Sequence, residues 1–211
     1  MEKSPLKIRL LLAVLATAFS VSLTLPLQAH AQKATPTASA TEIETLLAKQ
    51  AITELIYKYP RGLDRGDRAL LISLAHPGAK MSFGGREFPN WEAYVDWLIQ
   101  AHDEMTGNNH RISNILIEVN GDRAVSESTG TATLLVPKQG NPGLYEERWM
   151  HSRYLDSWSR RDGKWALDGR QTVNDYRRVL DVPADLVKAR YQVIGHIGRN
   201  DSSYRHFESI K

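Results

Sequence analysis

The side chains able to do chemistry are narrowed first by what the chain lacks. None of its 211 residues is cysteine, which removes disulfides, thiolate metal sites and a cysteine nucleophile together. His76, His102, His151 and His196 show no His-x-x-x-His spacing, so nothing points to a zinc site. No serine sits in a nucleophile-elbow pattern, and Gly84-Gly85-Arg86 is too short for a phosphate loop. Histidine, carboxylate, tyrosine and arginine remain to be weighed. His110 opens a strand-like segment, where a lone histidine is more often structural than functional. Asp64 lies in Gly62-Leu63-Asp64, where an aspartate can simply cap a turn. Arg170 can pair with Asp168 or Asp156 on a sheet surface. His102 continues a helical stripe and suits a capping part at its end. The facing of His151 on a long strand is not settled by parity, because bulges are common in curved sheets. Trp91, Trp97 and Trp149 can line an aromatic pocket, although core packing is the commoner fate.

The elements that would position these residues follow a simple order. Met1–Arg9 carries three positive charges, Leu10–Leu27 is apolar, and Ala29-His30-Ala31 is a small-x-small cleavage pattern. This is the layout of a secretory signal peptide over residues 1–31, cut after Ala31. An uncleaved anchor is the alternative, since roughly 18 apolar residues can span a bilayer. Residues 32–40 read as a flexible leader with nothing to bury. From Thr41 to Tyr59, Leu46, Leu47, Ile52, Leu55, Ile56 and Tyr59 recur at helical spacing, with Thr41 and Glu44 as a capping box and Pro60 as a break or kink. Asp67 caps a short second helix, and Asn90 caps a third that carries Trp91, Tyr94, Val95, Leu98 and Ile99 and ends around Gly107.

Strands dominate afterwards. A brief one covers Lys80–Phe83. Longer ones cover His110–Val119, Arg123–Pro137, Leu144–Arg161 and Lys164–Arg178, with hairpin turns at Asn120-Gly121 and Asp162-Gly163. Pro183–Tyr191 reads as a short helix and the remaining tail as irregular. Helices first and long antiparallel strands after mean an α+β fold: three helices against a strongly curved antiparallel sheet. Such a concavity is the default place for a ligand.

Four segments resemble the NTF2-like superfamily, in its SnoaL-like branch. They are Gln50–Leu55 leading to Tyr59 and Gly62-Leu63-Asp64, then Asn109–Asn114, then Tyr154–Trp165, and finally Gly169-Arg170. The branch includes scytalone dehydratase, bile-acid dehydratase, hexachlorocyclohexane dehydrochlorinase and polyketide cyclases. The resemblance spans residues 41–180 and leaves 181–211 as a C-terminal extension. It implies a cone-shaped sheet whose pocket receives an Asp after the first helix, a His opening a strand and an Arg on the last strand. Those positions are Asp64, His110 and Arg170. Tyr59 matches a tyrosine used as an acid by the bile-acid dehydratase type. Asn114, Ile112 and Trp91 join the expected substrate pocket. Pro60, which departs from the family pattern, bears on the orientation of Tyr59.

A carboxylate bonded to one imidazole nitrogen fixes the tautomer and leaves the other nitrogen as a base. A free imidazole pKa near ~6.5 suits proton abstraction at neutral pH. Arg170 would stabilise an enolate or a departing anion, and Tyr59 would protonate a leaving hydroxyl. These parts fit dehydration, β-elimination or allylic isomerisation of a hydrophobic hydroxylated ring compound, with no metal or organic cofactor. The same cone can instead serve a non-catalytic exported binding protein. The net charge of +3 falls partly in the first nine residues and gives no nucleic-acid signature. The remaining expectations are a periplasmic or secreted protein, off the membrane after signal cleavage, and a homo-oligomer (dimer or trimer), with Trp149, Tyr154 and Trp158 available to an interface.

Overall fold

A computed structural model of the chain describes residues 38–192 and 198–210. They fall in one compact unit, Ala38–Lys211. The expected signal peptide and residues 32–37 of the leader lie outside the described residues, and Ala40, expected at the end of that leader, is the first residue of the first helix. Among the described residues, no helix is long and apolar enough to cross a membrane.

The first helix, α1, runs Ala40–Asp64. Its capping box is Ser39 with Glu42, two residues ahead of the expected Thr41 and Glu44: Glu42 N donates to Ser39 Oγ at 3.2 Å, and Ser39 N to Glu42 Oε2 at 2.7 Å. The helix does not break at Pro60. One backbone donor is lost there, but Ile56, Tyr59 and Leu63 are buried around it and hold the last turns in place. The true stop is Gly66, at φ 59°. Gly66 N donates to Leu63 O at 3.1 Å and Asp67 N to Gly62 O at 2.8 Å, a Schellman ending that needs a left-handed residue at this position. Asp64 is thereby set in the final turn of α1. Asp67 then caps α2 (Arg68–Ile72), accepting from Leu70 N at 3.0 Å.

The sheet has six strands: β1 (Ala75–Phe83), β2 (Arg86–Phe88), β3 (Gly107–Asn120), β4 (Arg123–Pro137), β5 (Leu144–Arg161) and β6 (Lys164–Pro183), in the order β2-β1-β6-β5-β4-β3. Every pairing is antiparallel except β1 with β6. β1 begins five residues before the expected Lys80, because Ala75 pairs with Leu167 ahead of a register shift. The final strand continues past Arg178 to Pro183 because β5 pairs with it as far as Leu144.

The third helix, α3 (Trp91–Asp103), is capped by Asn90, whose Oδ1 accepts from Ala93 N at 2.8 Å. It buries Trp91, Tyr94, Val95, Leu98 and His102, one stripe at helical spacing. That stripe meets Ile52, Ile56, Tyr59 and Leu63 of α1 and Tyr154, Trp158 and Leu167 of the sheet in a single core.

The tail is more ordered than expected. α4 (Ala184–Arg190) buries Val187 against Leu135 and Val182. Asp201 caps α5 (Ser202–Glu208), which docks beside the end of α1: Tyr204 Oη donates to Asp67 Oδ2 at 2.7 Å, and Arg61 Nη1 to Ser203 Oγ at 3.1 Å.

Candidate active site

Asp64 is 7% exposed and faces the start of β3. His110 reaches it three ways. Its backbone N–H donates to Oδ1 and Oδ2 at 3.2 and 3.0 Å, and its Nδ1 lies 2.6 Å from Oδ1. An aspartate accepting from Nδ1–H selects the tautomer in which Nε2 carries the lone pair. The backbone bonds matter equally, because they tie the carboxylate to the strand as well as to the ring.

His110 lines a cavity of about 300 Å³ between α1, α3 and the concave face of the sheet. Leu63, Trp97, Leu98, Met105, Leu134 and Met150 make it mostly apolar. Tyr59 also lines it, and its hydroxyl is 2.6 Å from that of Tyr94. Burial raises the Tyr59 pKa above its ordinary value, and the nearby Arg170 charge partly offsets this. Burial also raises the pKa of Tyr154, which forms another part of the wall.

Arg170 is not beside His110, contrary to expectation. It is 5% exposed and lies inside the core. Its Nε and Nη2 donate to Asp156 at 2.7 and 2.8 Å, and its guanidinium carbon lies 4.1 Å from the Tyr59 ring centre and 4.4 Å from that of Tyr154. Nη1 is buried without a well-aligned acceptor. Burial disfavours the arginine's charge, yet the charge and hydrogen bonds of Asp156 outweigh this and hold its pKa above the usual value. The two tyrosine rings therefore separate the charge from the cavity.

Three other expected pocket residues are placed elsewhere. Trp91 is 1% exposed and donates Nε1–H to Leu71 O at 2.8 Å, inside the core. Ile112 packs partly buried against that core. Asn114 is exposed, at φ 49°, in the register shift of β3 between Ser113 and Leu116. That shift ends the parity that would have placed it beside His110.

One wall residue was read from sequence only as a cap. His102 lies in the last turn of α3, 7% exposed, with its ring centre 5.4 Å from that of His110. Its Nδ1 is 2.7 Å from Leu98 O, so Nδ1 donates and Nε2 is left as a buried acceptor without a partner. Burial, and then the charge of His110, lower its pKa below the ordinary value. The available signal was the stripe Trp91, Tyr94, Val95, Leu98, which His102 continues at four residues' spacing. His151, by contrast, stacks on Tyr176 at 4.5 Å and does not line the cavity. His76 Nε2 lies 3.0 Å from Ser159 O. Among the described residues, no group of three or more His, Asp or Glu could hold a metal ion.

The fold recurs in solved structures. A putative scytalone dehydratase from Novosphingobium aromaticivorans shares 19% identity over 74% of this chain and 96% of that one, with a TM-score of 0.56. A hexachlorocyclohexane dehydrochlorinase from Novosphingobium barchaimii shares 21% identity over 64% and 91%, with a TM-score of 0.54. An NTF2-like superfamily protein from Salmonella enterica shares 18% over 62% and 93%, also at 0.54. At these identities the likeness concerns the fold alone. Comparison with curated proteins finds no match. The family model for the SnoaL-like domain matches residues 44–171. With its curved mixed sheet closed over helices, this chain belongs to the SnoaL-like domain family.

Proposed function

We propose that the protein is a cofactor-independent lyase or isomerase that removes a proton from a small hydrophobic ring compound. The observation that carries this reading is the Asp64–His110 pair at the wall of a mostly apolar cavity. Asp64 orients the ring and stabilises the imidazolium that forms, and Nε2 takes the proton. A positioned base of this kind is worth about 10²–10⁴-fold in rate. Tyr59 serves as the acid, because it is the phenol in the cavity wall whose hydroxyl already shares a proton with a second tyrosine. Arg170 favours negative charge near the Tyr59 oxygen from behind the ring. At about 300 Å³ the cavity falls at the small end of ligand pockets, which range over ~300–1,000 Å³, and a one- or two-ring compound suits it. Dehydration, β-elimination and allylic isomerisation all begin with this proton transfer.

The test is incubation in D₂O with a pool of hydroxylated aromatic and alicyclic compounds, read by mass spectrometry beside His110→Gln. Loss of water or another leaving group, or deuterium uptake, that vanishes in the variant supports the reading. A wild-type protein that retains a compound through gel filtration without changing it would be a binding protein instead. Export and a homo-oligomeric state belong to the same proposal. A mature N-terminus at Gln32 and a light-scattering mass of two or three chains are the results to look for.

A further inference from the structure

The far end of the cavity holds charge that the proton transfer does not use. On β5 the side chains facing inward are Tyr154, Ser152, Met150 and Arg148, and all four line the cavity. The partner strand β6 sends Arg170, Thr172 and Asn174 to the same side; Asn174 Oδ1 accepts from Ser152 Oγ at 2.9 Å. Strict alternation would bring Tyr176 in next. Instead Ser152 pairs with Asn174 and His151 with Tyr176, so Asp175 is an extra residue in β6. This bulge inverts the faces beyond it. Tyr176 turns out to stack on His151, Asp175 pairs with Arg153, and Arg177, opposite Met150, turns into the cavity wall.

Arg148 and Arg177 are thus the charged side chains of this wall. No carboxylate lines the cavity among the described residues. Asp64 stands behind His110, and Glu146 is bound to Arg148 at 2.7 Å. Arg177 has no ion-pair partner among the described residues. One unpaired arginine at the rim of a cavity, backed by low-dielectric apolar walls, focuses a field that attracts anions. Guanidinium groups, planar and always charged, recognise carboxylates by paired hydrogen bonds.

We propose that the natural ligand is an organic anion, a compact hydrophobic carboxylate. Its ring system fills the space between Trp97, Leu98, Met105 and Leu134, and its carboxylate meets Arg177, with Arg148 beside it. The inference rests on the reading of this cavity as the substrate site, and it makes Arg177 a specificity residue. It also fixes direction: with the anionic group at the mouth, the opposite end of the ligand meets His110.

Isothermal titration calorimetry with 2-naphthoate and its neutral isostere 2-naphthamide tests this without requiring turnover. The expected result is at least about tenfold tighter binding of the carboxylate, the scale of one charge-assisted hydrogen bond. Added salt weakens that preference. Arg177→Gln, an exposed position that leaves the core intact, brings the two ligands to within about twofold. His110→Gln leaves the preference unchanged, although the same variant abolishes catalysis under the functional reading, so the two proposals fail separately. Equal affinity for the two compounds, binding of neither, or a preference lost in His110→Gln and kept in Arg177→Gln would each overturn the inference.

Discussion

Two largely buried carboxylate pairs in the molecule have opposite designs. Asp156 and Arg170 face each other directly across β5 and β6 and are enclosed on all sides. Their bond is bidentate, and the guanidinium lies between two tyrosine rings. Asp64 and His110 are also held tightly, but one face of the imidazole belongs to a cavity. The first pair joins an acid to a cation that never gives up its proton, and so its charges are permanent. The second joins an acid to the one side chain whose free form titrates near neutral pH. Burial alone does not make a reactive site. A reactive site needs a group able to exchange a proton and a cavity beside it, and of these two pairs the imidazole one combines the two features.

The sharpest way to break this contrast is to remove the base. His110→Gln should lower turnover of whichever compound the exchange screen identifies by about 10²–10⁴-fold, while the urea midpoint moves little. A large stability loss with turnover intact would reverse the roles assigned to the two pairs. Next comes Asp156→Ala, which strands a buried guanidinium. The expected cost is ~3–5 kcal/mol of unfolding free energy, measured by chemical denaturation. Retention of near wild-type stability would mean that Arg170 finds another partner or leaves the core.

Gly130 offers a smaller and more selective perturbation. A methyl group there would overlap the Tyr154 ring, the ring that covers Arg170. Gly130→Ala should cost about 1–3 kcal/mol by overpacking, and it should disturb the arginine side of the core more than the Asp64–His110 bond. Tyrosine ring shifts in an NMR comparison, without change at His110, would bear this out.

The smallest effect concerns His102. Burial lowers its folded pKa, so the unfolded chain takes up this proton at ~6.5 and the folded chain only at lower pH. Between those two values the unfolded state binds more protons, and stability rises with pH. The contribution is therefore complete above about 6.5 and is lost as pH falls from there toward the folded value. His102→Gln should flatten part of that slope in denaturation curves taken from pH 7.5 to 5. An unchanged slope would show that His102 exchanges its proton as freely when folded as when unfolded.

Much of the architecture was legible from local patterns. The bounds of β4 and β5, the turns at Asn120-Gly121 and Asp162-Gly163, and the caps at Asp67 and Asn90 need only alternation, turn chemistry and short-range hydrogen bonds. Pro60 and the tail were harder for the opposite reason. Tertiary packing carried α1 through the proline and gave α5 a surface to dock on, and neither is visible in a window of a few residues.

The sequence by itself determined the layout: helices before strands, the absence of thiol chemistry, and, through family resemblance, Asp64, His110 and Tyr59 as candidates that the fold brings to one cavity. Only the tertiary structure decided which partner each charged group takes. Arg170 went to Asp156 rather than to the cavity, His102 came in beside His110, and Arg177 turned to the mouth. For the two arginines the physical reason is register. Side-chain direction alternates along a strand, a single extra residue such as Asp175 reverses it, and the pairing that creates that extra residue is made between strands rather than within one.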